Sequence, residues 1–347
     1  MNAPLRIAAV GLEHDEIYRV LDRLRGHDSA ELVAIAERSG RLRMAAEGRY
    51  RVPVFPRLTP LMAKVTVDAV VVATPNGDKA AVIVEALRAG THVIAHAPLA
   101  VTTEQYHVVA EAQRTADAGL VLLLPLRFAP AYGDLRAALT QGVLGDISQT
   151  VIINSQQVTA TPRTQAFFAT KAHGGILTNL AVHDLDALRW FGGDIAVEYA
   201  ATQRIGITEY PDFEDAGLVR CRLAGGGEGV VVCNWLAPEA AAPFHEHTVI
   251  GTEGTAWISG GKLQIWGGAP AETPRDGTGD TAYGALGRAL SPDVAGHADD
   301  EVVSAMLDAA LIALGDAHLR AAVTADALRT TRAALEAQAM AWQHSSP

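Results

Sequence analysis

The sequence predicts an α/β chain in two parts. A doubly wound parallel sheet comes first, then an α+β region built on a large, mostly antiparallel, open-faced sheet. Three observations predict this. Short apolar runs alternate with helical stretches through the first 124 residues, the pattern of βαβ units. From Ile147 on, strand-like runs dominate, with one clear helix among them, as in a sheet whose helices are segregated. The pattern changes at Pro125, so we expect one domain over residues 1–124 and a second over 125–347.

The first runs are Arg6–Val10, Glu31–Ala36, Asp68–Ala73, His92–Ala95 and Leu120–Leu124. They are short and apolar, as parallel strands buried on both faces are. Helices lie near Glu16–Arg25, Gly40–Gly48, Lys79–Ala89 and Thr103–Ala118. Gly90 ends the third of these, since glycine accepts the left-handed conformation of a helix stop. In the second part a helix starts at Pro130, where the missing N–H costs nothing. The tight turn Gly142-Val143-Leu144-Gly145-Asp146 leads into a strand. Strands are expected at Ile147–Gln156, Ala216–Leu223, Glu228–Leu236, His247–Gly251, Thr255–Ile258 and Lys262–Trp266, and a helix at Thr178–Phe191. Ala269–Gly296 reads as a long loop, rich in Gly, Pro, Asp and Thr. Helices return at Asp299–Leu314 and Ala325–Gln343.

Composition narrows the function classes. The net charge of −11 argues against nucleic-acid partners and anionic lipid surfaces. No apolar run approaches the roughly 20 residues that span a bilayer. Met1-Asn2-Ala3-Pro4 enters a strand directly, so no signal peptide is expected and the location is read as cytoplasmic. Cys221 and Cys233 are read as reduced core residues. The strands after Ile147 outnumber the helices able to cover them, which predicts self-association as a dimer or tetramer. The expected partner is a small-molecule substrate.

The candidate ligand turn follows the first strand: Gly11-Leu12-Glu13-His14. A Rossmann turn has G-x-G-x-x-G there, so that the backbone reaches a pyrophosphate at a helix N-terminus. Only Gly11 is kept, and Glu13 sets a carboxylate where a diphosphate would lie. The turn is read as a modified NAD or NADP site, with a Rossmann fold that has lost its nucleotide as the alternative. Glu37 and Arg38 end the second strand. Glu37 suits ribose hydroxyls and favours NAD, while Arg38 leaves NADP open. Thr74-Pro75-Asn76 lies at the carboxyl end of a strand, where α/β ligands bind, and Asn76 is also able to cap the next helix. On one helix Asn179, His183 and Asp186 would line one wall. His183 is the candidate general base, with Asn179 orienting a hydroxyl. Lys171 and His173 are candidate substrate contacts, a solvated loop being the equal alternative. His245-Glu246-His247 is read as a half-exposed strand and not a metal site. Trp235, Trp257 and Trp266 are read as sheet packing.

Seven landmarks in order give the chain a resemblance to the Gfo/Idh/MocA family of sugar and cyclitol oxidoreductases, over nearly the whole length. They are Ala73-Thr74-Pro75-Asn76, Ala89-Gly90-Thr91-His92-Val93, Pro98-Leu99-Ala100, Arg127-Phe128-Ala129-Pro130, Gly142 to Ile147, Gly174-Gly175-Ile176-Leu177 through His183-Asp184-Leu185-Asp186, and Gly251-Thr252-Glu253-Gly254-Thr255. The resemblance implies a Rossmann domain holding NAD or NADP and a sheet domain holding the substrate, to which Arg127 is assigned. It also shows departures. The family's main catalytic lysine, in Glu-Lys-Pro, falls at Ala97 of His96-Ala97-Pro98; the Ala97 position is counted with the cofactor site. Its aspartate four before the histidine is Asn179. The histidine that often follows Thr-Pro-Asn by three is Lys79.

The resulting expectation is hydride transfer between NAD(P) and a hydroxyl or ketone of a sugar-like or small polar substrate. His183, Asn179, His96 and Asp186 are the catalytic candidates. The alternative is a non-redox lyase, isomerase or cyclase, or a ligand-binding protein, on the same scaffold.

Overall fold

The structure, a computed structural model, describes residues 3–13, 16–158, 168, 174–237, 244–268 and 298–344. The loop expected over 269–296 lies outside them, as do His14, Lys171 and His173. The chain forms two compact units, Met1–Leu123 with Asp299–Leu328, and Leu124–Ala298 with Arg329–Pro347. Each is described by itself.

The first unit is a six-stranded sheet in the order β3-β2-β1-β4-β5-β6. Its strands are β1 Leu5–Val10, β2 Ala30–Ala36, β3 Val54–Phe55, β4 Ala69–Val72, β5 His92–His96 and β6 Leu120–Leu123. All pair in parallel. This is the doubly wound Rossmann order, with its switch point between β1 and β4. β4 reads Ala-Val-Val-Val and is buried throughout, as a central parallel strand requires. The connecting helices are α1 Glu16–Leu24, α2 Gly40–Tyr50, α3 Leu58–Met62, α4 Asn76–Arg88 and α5 Thr103–Thr115. β3 and α3 are absent from the sequence reading, because two and five residues are too few to carry a period.

The first unit also takes in residues 299–328, which the sequence alone keeps with the second domain. Side chains tie them down there: Leu120 N donates to Thr324 Oγ1 at 3.0 Å, and His27 Nε2 lies 2.8 Å from Asp308 Oδ1.

The second unit begins with a 3₁₀ turn at Pro125–Phe128 and α6 Pro130–Thr140. Its sheet has seven strands in the order β13-β12-β11-β7-β10-β9-β8. These are β7 Ile147–Ser155, β8 Ile195–Gln203, β9 Ala216–Leu223, β10 Glu228–Asn234, β11 Phe244–Gly251, β12 Gly254–Ser259 and β13 Lys262–Gly267. Only β7 and β10 run parallel; the other pairs are antiparallel. One face buries Ile152, Val219, Cys221, Val231, Cys233 and Val249; both cysteines are free. The other face leaves Ile153, Tyr199, Phe244, Ile250 and Trp266 exposed.

The expected helix Thr178–Phe191 is two helices, α7 Ile176–Asn179 and α8 Ala181–Gly192, broken at Leu180. Every residue of α8 is buried except His183. Two helices follow, α9 Ala298–Gly315 and α10 Ala317–His344. Among the described residues no helix is long and apolar enough to cross a membrane.

Candidate functional site

The carboxyl ends of β1, β2, β4 and β5 gather most of the predicted residues of the first unit. Gly11 has φ +86°, and a Cβ there would stand 2.6 Å from Thr74 N. Only glycine fits this close approach of two strand ends. Glu37 is 3% exposed and already engaged: its Oε2 accepts from Leu12 N at 2.7 Å and its Oε1 from Ser39 N at 2.6 Å. The carboxylate therefore ties the glycine turn to the end of β2, where the sequence alone suggests a ribose ligand or a solvated pair. Arg38 pairs with Asp78 at 2.8 Å. Glu13 is exposed. Partial burial, and then Glu37 and Asp78, push its pKa above the ordinary carboxylate value.

Asn76 does not cap α4; the cap position is Pro75, with no side-chain bond. Asn76 Oδ1 instead accepts from Lys79 Nζ at 2.9 Å, and the same ammonium donates to His96 O at 2.9 Å and Ala97 O at 3.3 Å. Lys79 is 1% exposed, and burial pushes its amine down to about 7. Sequence reasoning noted Lys79 only as a departure. The usable signal was its place on the apolar face of α4 with Ile83 and Ala86, all buried. His96 does not open to solvent: it is 3% exposed, with Nδ1 3.2 Å from Glu16 Oε2 at the start of α1. Thr74 Oγ1 is a buried hydroxyl with no hydrogen-bond partner among the described residues.

In the second unit Asn179 and His183 are both half-buried. Asp186 does not join them, and this corrects its catalytic reading. It takes a bidentate pair from Arg127, Nε to Oδ2 and NH2 to Oδ1, both 2.7 Å. Thr330 Oγ1 donates to Asp186 Oδ1 at 2.7 Å, and Arg189 NH1 donates to Thr330 at 2.5 Å. Arg127 is 0% and Asp186 1% exposed. Burial alone raises the Asp186 pKa, but the charge and hydrogen bonds of Arg127 outweigh it and hold the carboxyl below its ordinary value. Arg127 is thereby corrected as well, from substrate contact to partner of a sealed ion pair.

A polar group the sequence reading missed lies beside His183. Asp184 is 0% exposed; its Oδ1 meets His245 Nε2 at 2.8 Å and its Oδ2 accepts from Asn154 Nδ2 at 2.9 Å. His245 Nδ1 is 3.3 Å from Tyr132 OH. His247 shares that sheet face but is fully buried, bonded to Thr150 Oγ1 at 2.7 Å, so the half-exposed reading fails for it. Burial, then His245, pushes its imidazole down to about 3. Among the described residues no three His, Cys, Asp or Glu side chains are grouped to hold a metal.

Comparison with known proteins matches both units. Residues 5–122 match the model of an oxidoreductase family with an NAD-binding Rossmann fold, GFO/IDH/MocA, and residues 132–257 match the GFO/IDH/MocA C-terminal domain. Inositol 2-dehydrogenase of Rhizobium meliloti is 26% identical over 210 residues, which cover 59% of this chain and 62% of that enzyme. An oxidoreductase from Agrobacterium radiobacter, solved with NAD+, L-tartaric acid and magnesium, superposes with TM-score 0.77 at 18% identity, covering 99% of this chain and 97% of its own. The WlbA dehydrogenase of Bordetella pertussis, solved with NADH and UDP-GlcNAcA, gives 0.76 at 21% identity, covering 99% and 97%.

The buried amine sets a pH dependence of stability. The folded pKa of Lys79 lies below its unfolded value of 10.5, at about 7. The penalty for burying its charge is therefore full below pH 7 and fades as the pH rises towards 10.5. Wild type should gain on Lys79→Met across that window, by at most about 1.4 kcal/mol per pH unit. Urea titrations at pH 6, 8 and 9.5 read the difference, and a constant gap would show that Lys79 titrates normally.

Proposed function

This chain belongs to the GFO/IDH/MocA oxidoreductase family, and on that premise we propose an NAD(P)-dependent dehydrogenase acting on a hydroxyl or ketone of a sugar-like or small polar substrate. The observation that carries this reading is His183, the single half-buried residue on a helix otherwise fully enclosed. An imidazole presented so fits a proton carrier for the substrate oxygen. Asn179, half-buried like His183, orients that oxygen without taking the proton.

The first unit fits a dinucleotide in its strand order, in the glycine approach at Gly11 and in the Thr74 hydroxyl, buried with no partner among the described residues. The bound cofactor would supply or accept the hydride. Glu37 holds the turn and keeps lone pairs for ribose hydroxyls. NAD is the favoured form, because Arg38 is taken up by Asp78. Glu13 and Glu16 place negative charge near the turn and weaken contacts to a diphosphate.

The second reading is a non-redox lyase, isomerase or cyclase, or a ligand-binding protein. Ala97, in place of a cation, and the acidic turn favour it. Titration with NADH and NADPH separates the two, since no binding at millimolar cofactor would leave only the second. Glu13→Gly should tighten binding at neutral pH. Wild-type affinity should itself rise as the pH falls through the elevated Glu13 pKa, because the neutral carboxyl no longer repels phosphate. Unchanged affinity in the variant would place Glu13 away from the ligand.

His183→Ala should lower turnover by roughly 10²–10⁴ with an unchanged melting temperature. Equal turnover would remove His183 from the chemistry.

The exposed face bearing Tyr199, Phe244, Ile250 and Trp266 supports self-association as a dimer or tetramer. Sedimentation at micromolar concentration should give a species of at least two chains, and a clean monomer would refute it.

A further inference from the structure

Lys79 is the one buried Lys or Arg side chain of the first unit among the described residues. Its three hydrogen bonds go to an amide oxygen and two carbonyls. No carboxylate among the described residues pairs with it. A buried cation without a counterion is costly. Its place in the first turn of α4, at the positive end of the helix, adds to the cost. A cation kept under these conditions has its field uncancelled, and it lies at the carboxyl ends of β4 and β5, where open α/β sheets bind ligands. Its acceptors are also informative. One belongs to His96, a catalytic candidate, and the other two to Ala97 and Asn76, both among the expected cofactor positions. The amine absent from position 97 therefore reaches the carbonyl of that residue from α4.

We propose that Lys79 supplies from α4 the positive charge that Ala97 does not: as a positioning residue it holds Asn76 and the His96–Ala97 segment for a bound dinucleotide and offsets the carboxylates of Glu13 and Glu16. The inference rests on the dinucleotide reading above. Lys79 acts through these groups, since at 1% exposure it does not reach a ligand itself. The burial that lowers its proton affinity makes the effect depend on pH. Among the described residues the other ionisable groups of this edge are Glu13 and Glu37 at the ends of β1 and β2, Glu16 on α1, His96 on β5, and Asp78 with Arg38.

The test is NADH titration, followed by fluorescence, of wild type, Lys79→Met and Lys79→Met/Ala97→Lys at pH 6 and pH 9. Each is repeated with Glu13→Gln to remove the response of that carboxyl. At pH 6 Lys79→Met should bind roughly tenfold more weakly than wild type, as expected for losing one charge in a low-dielectric site. At pH 9, where the wild-type amine is largely neutral, the gap should close. The double variant, with an amine at position 97, should regain affinity at both pH values. Equal binding by wild type and Lys79→Met at both would overturn the proposal and leave Lys79 a tether. Should Lys79→Met fail to fold, wild type in the Glu13→Gln background still decides: a fall in affinity from pH 6 to 9 supports the role of the amine, and a flat profile overturns it. Wild type that binds neither NADH nor NADPH overturns the dinucleotide reading itself, a result distinct from tight binding indifferent to Lys79.

Discussion

The second unit is organised by a charge pair sealed inside it. Arg127, from the 3₁₀ turn, meets Asp186 in the middle of α8, and Thr330 of α10 closes the same carboxylate. Removing one partner of such a pair typically costs about 3–5 kcal/mol, because the other charge is left buried and unpaired. The pair thus fixes the rotation of α8 about its axis. With Asp186 turned to Arg127 and Asp184 to His245, the side chain left at the helix surface is His183. The presentation of one imidazole follows from where two carboxylates are bound.

The first unit uses polar groups in the same way. Glu37 spends its oxygens on the amides of Leu12 and Ser39, and Lys79 spends its protons on Asn76, His96 and Ala97. Both hold loop backbone at the strand ends, where no ladder partner is available to satisfy it. The shape of the edge is thereby set before any ligand arrives, which is the condition for low reorganisation on binding.

Much of this was legible in the residues. Ala216–Leu223 forms a strand with the limits its pattern suggests, and the Ala-Val-Val-Val of β4 reads as a buried strand on its own. β8 is absent from the sequence reading although Ile195, Val197, Tyr199 and Ala201 recur at a period of two; those four are not the buried set, which is Ala200 alone. The break at Leu180 has no glycine or proline to announce it. The site was legible in position and less so in role. Spacing places Asp186 one turn beyond His183, but its partner Arg127 is 59 residues away, and no local pattern contains that contact. Lys79 is similar: the carbonyls it holds lie 17 and 18 residues on. The pairing is tertiary, while its trace in the sequence, a lysine on an apolar helix face, is local.

The burial of Lys79 has a chemical side. A lysine whose pKa is brought to about 7 is half free amine at neutral pH, and a free amine attacks aldehydes and ketones to form imines. On the surface such a residue would be among the first side chains of the molecule to be glycated or acylated. At 1% exposure, enclosed by an amide oxygen and two carbonyls, it has no path to a carbonyl carbon. The enclosure that lowers its basicity also withholds its nucleophilicity.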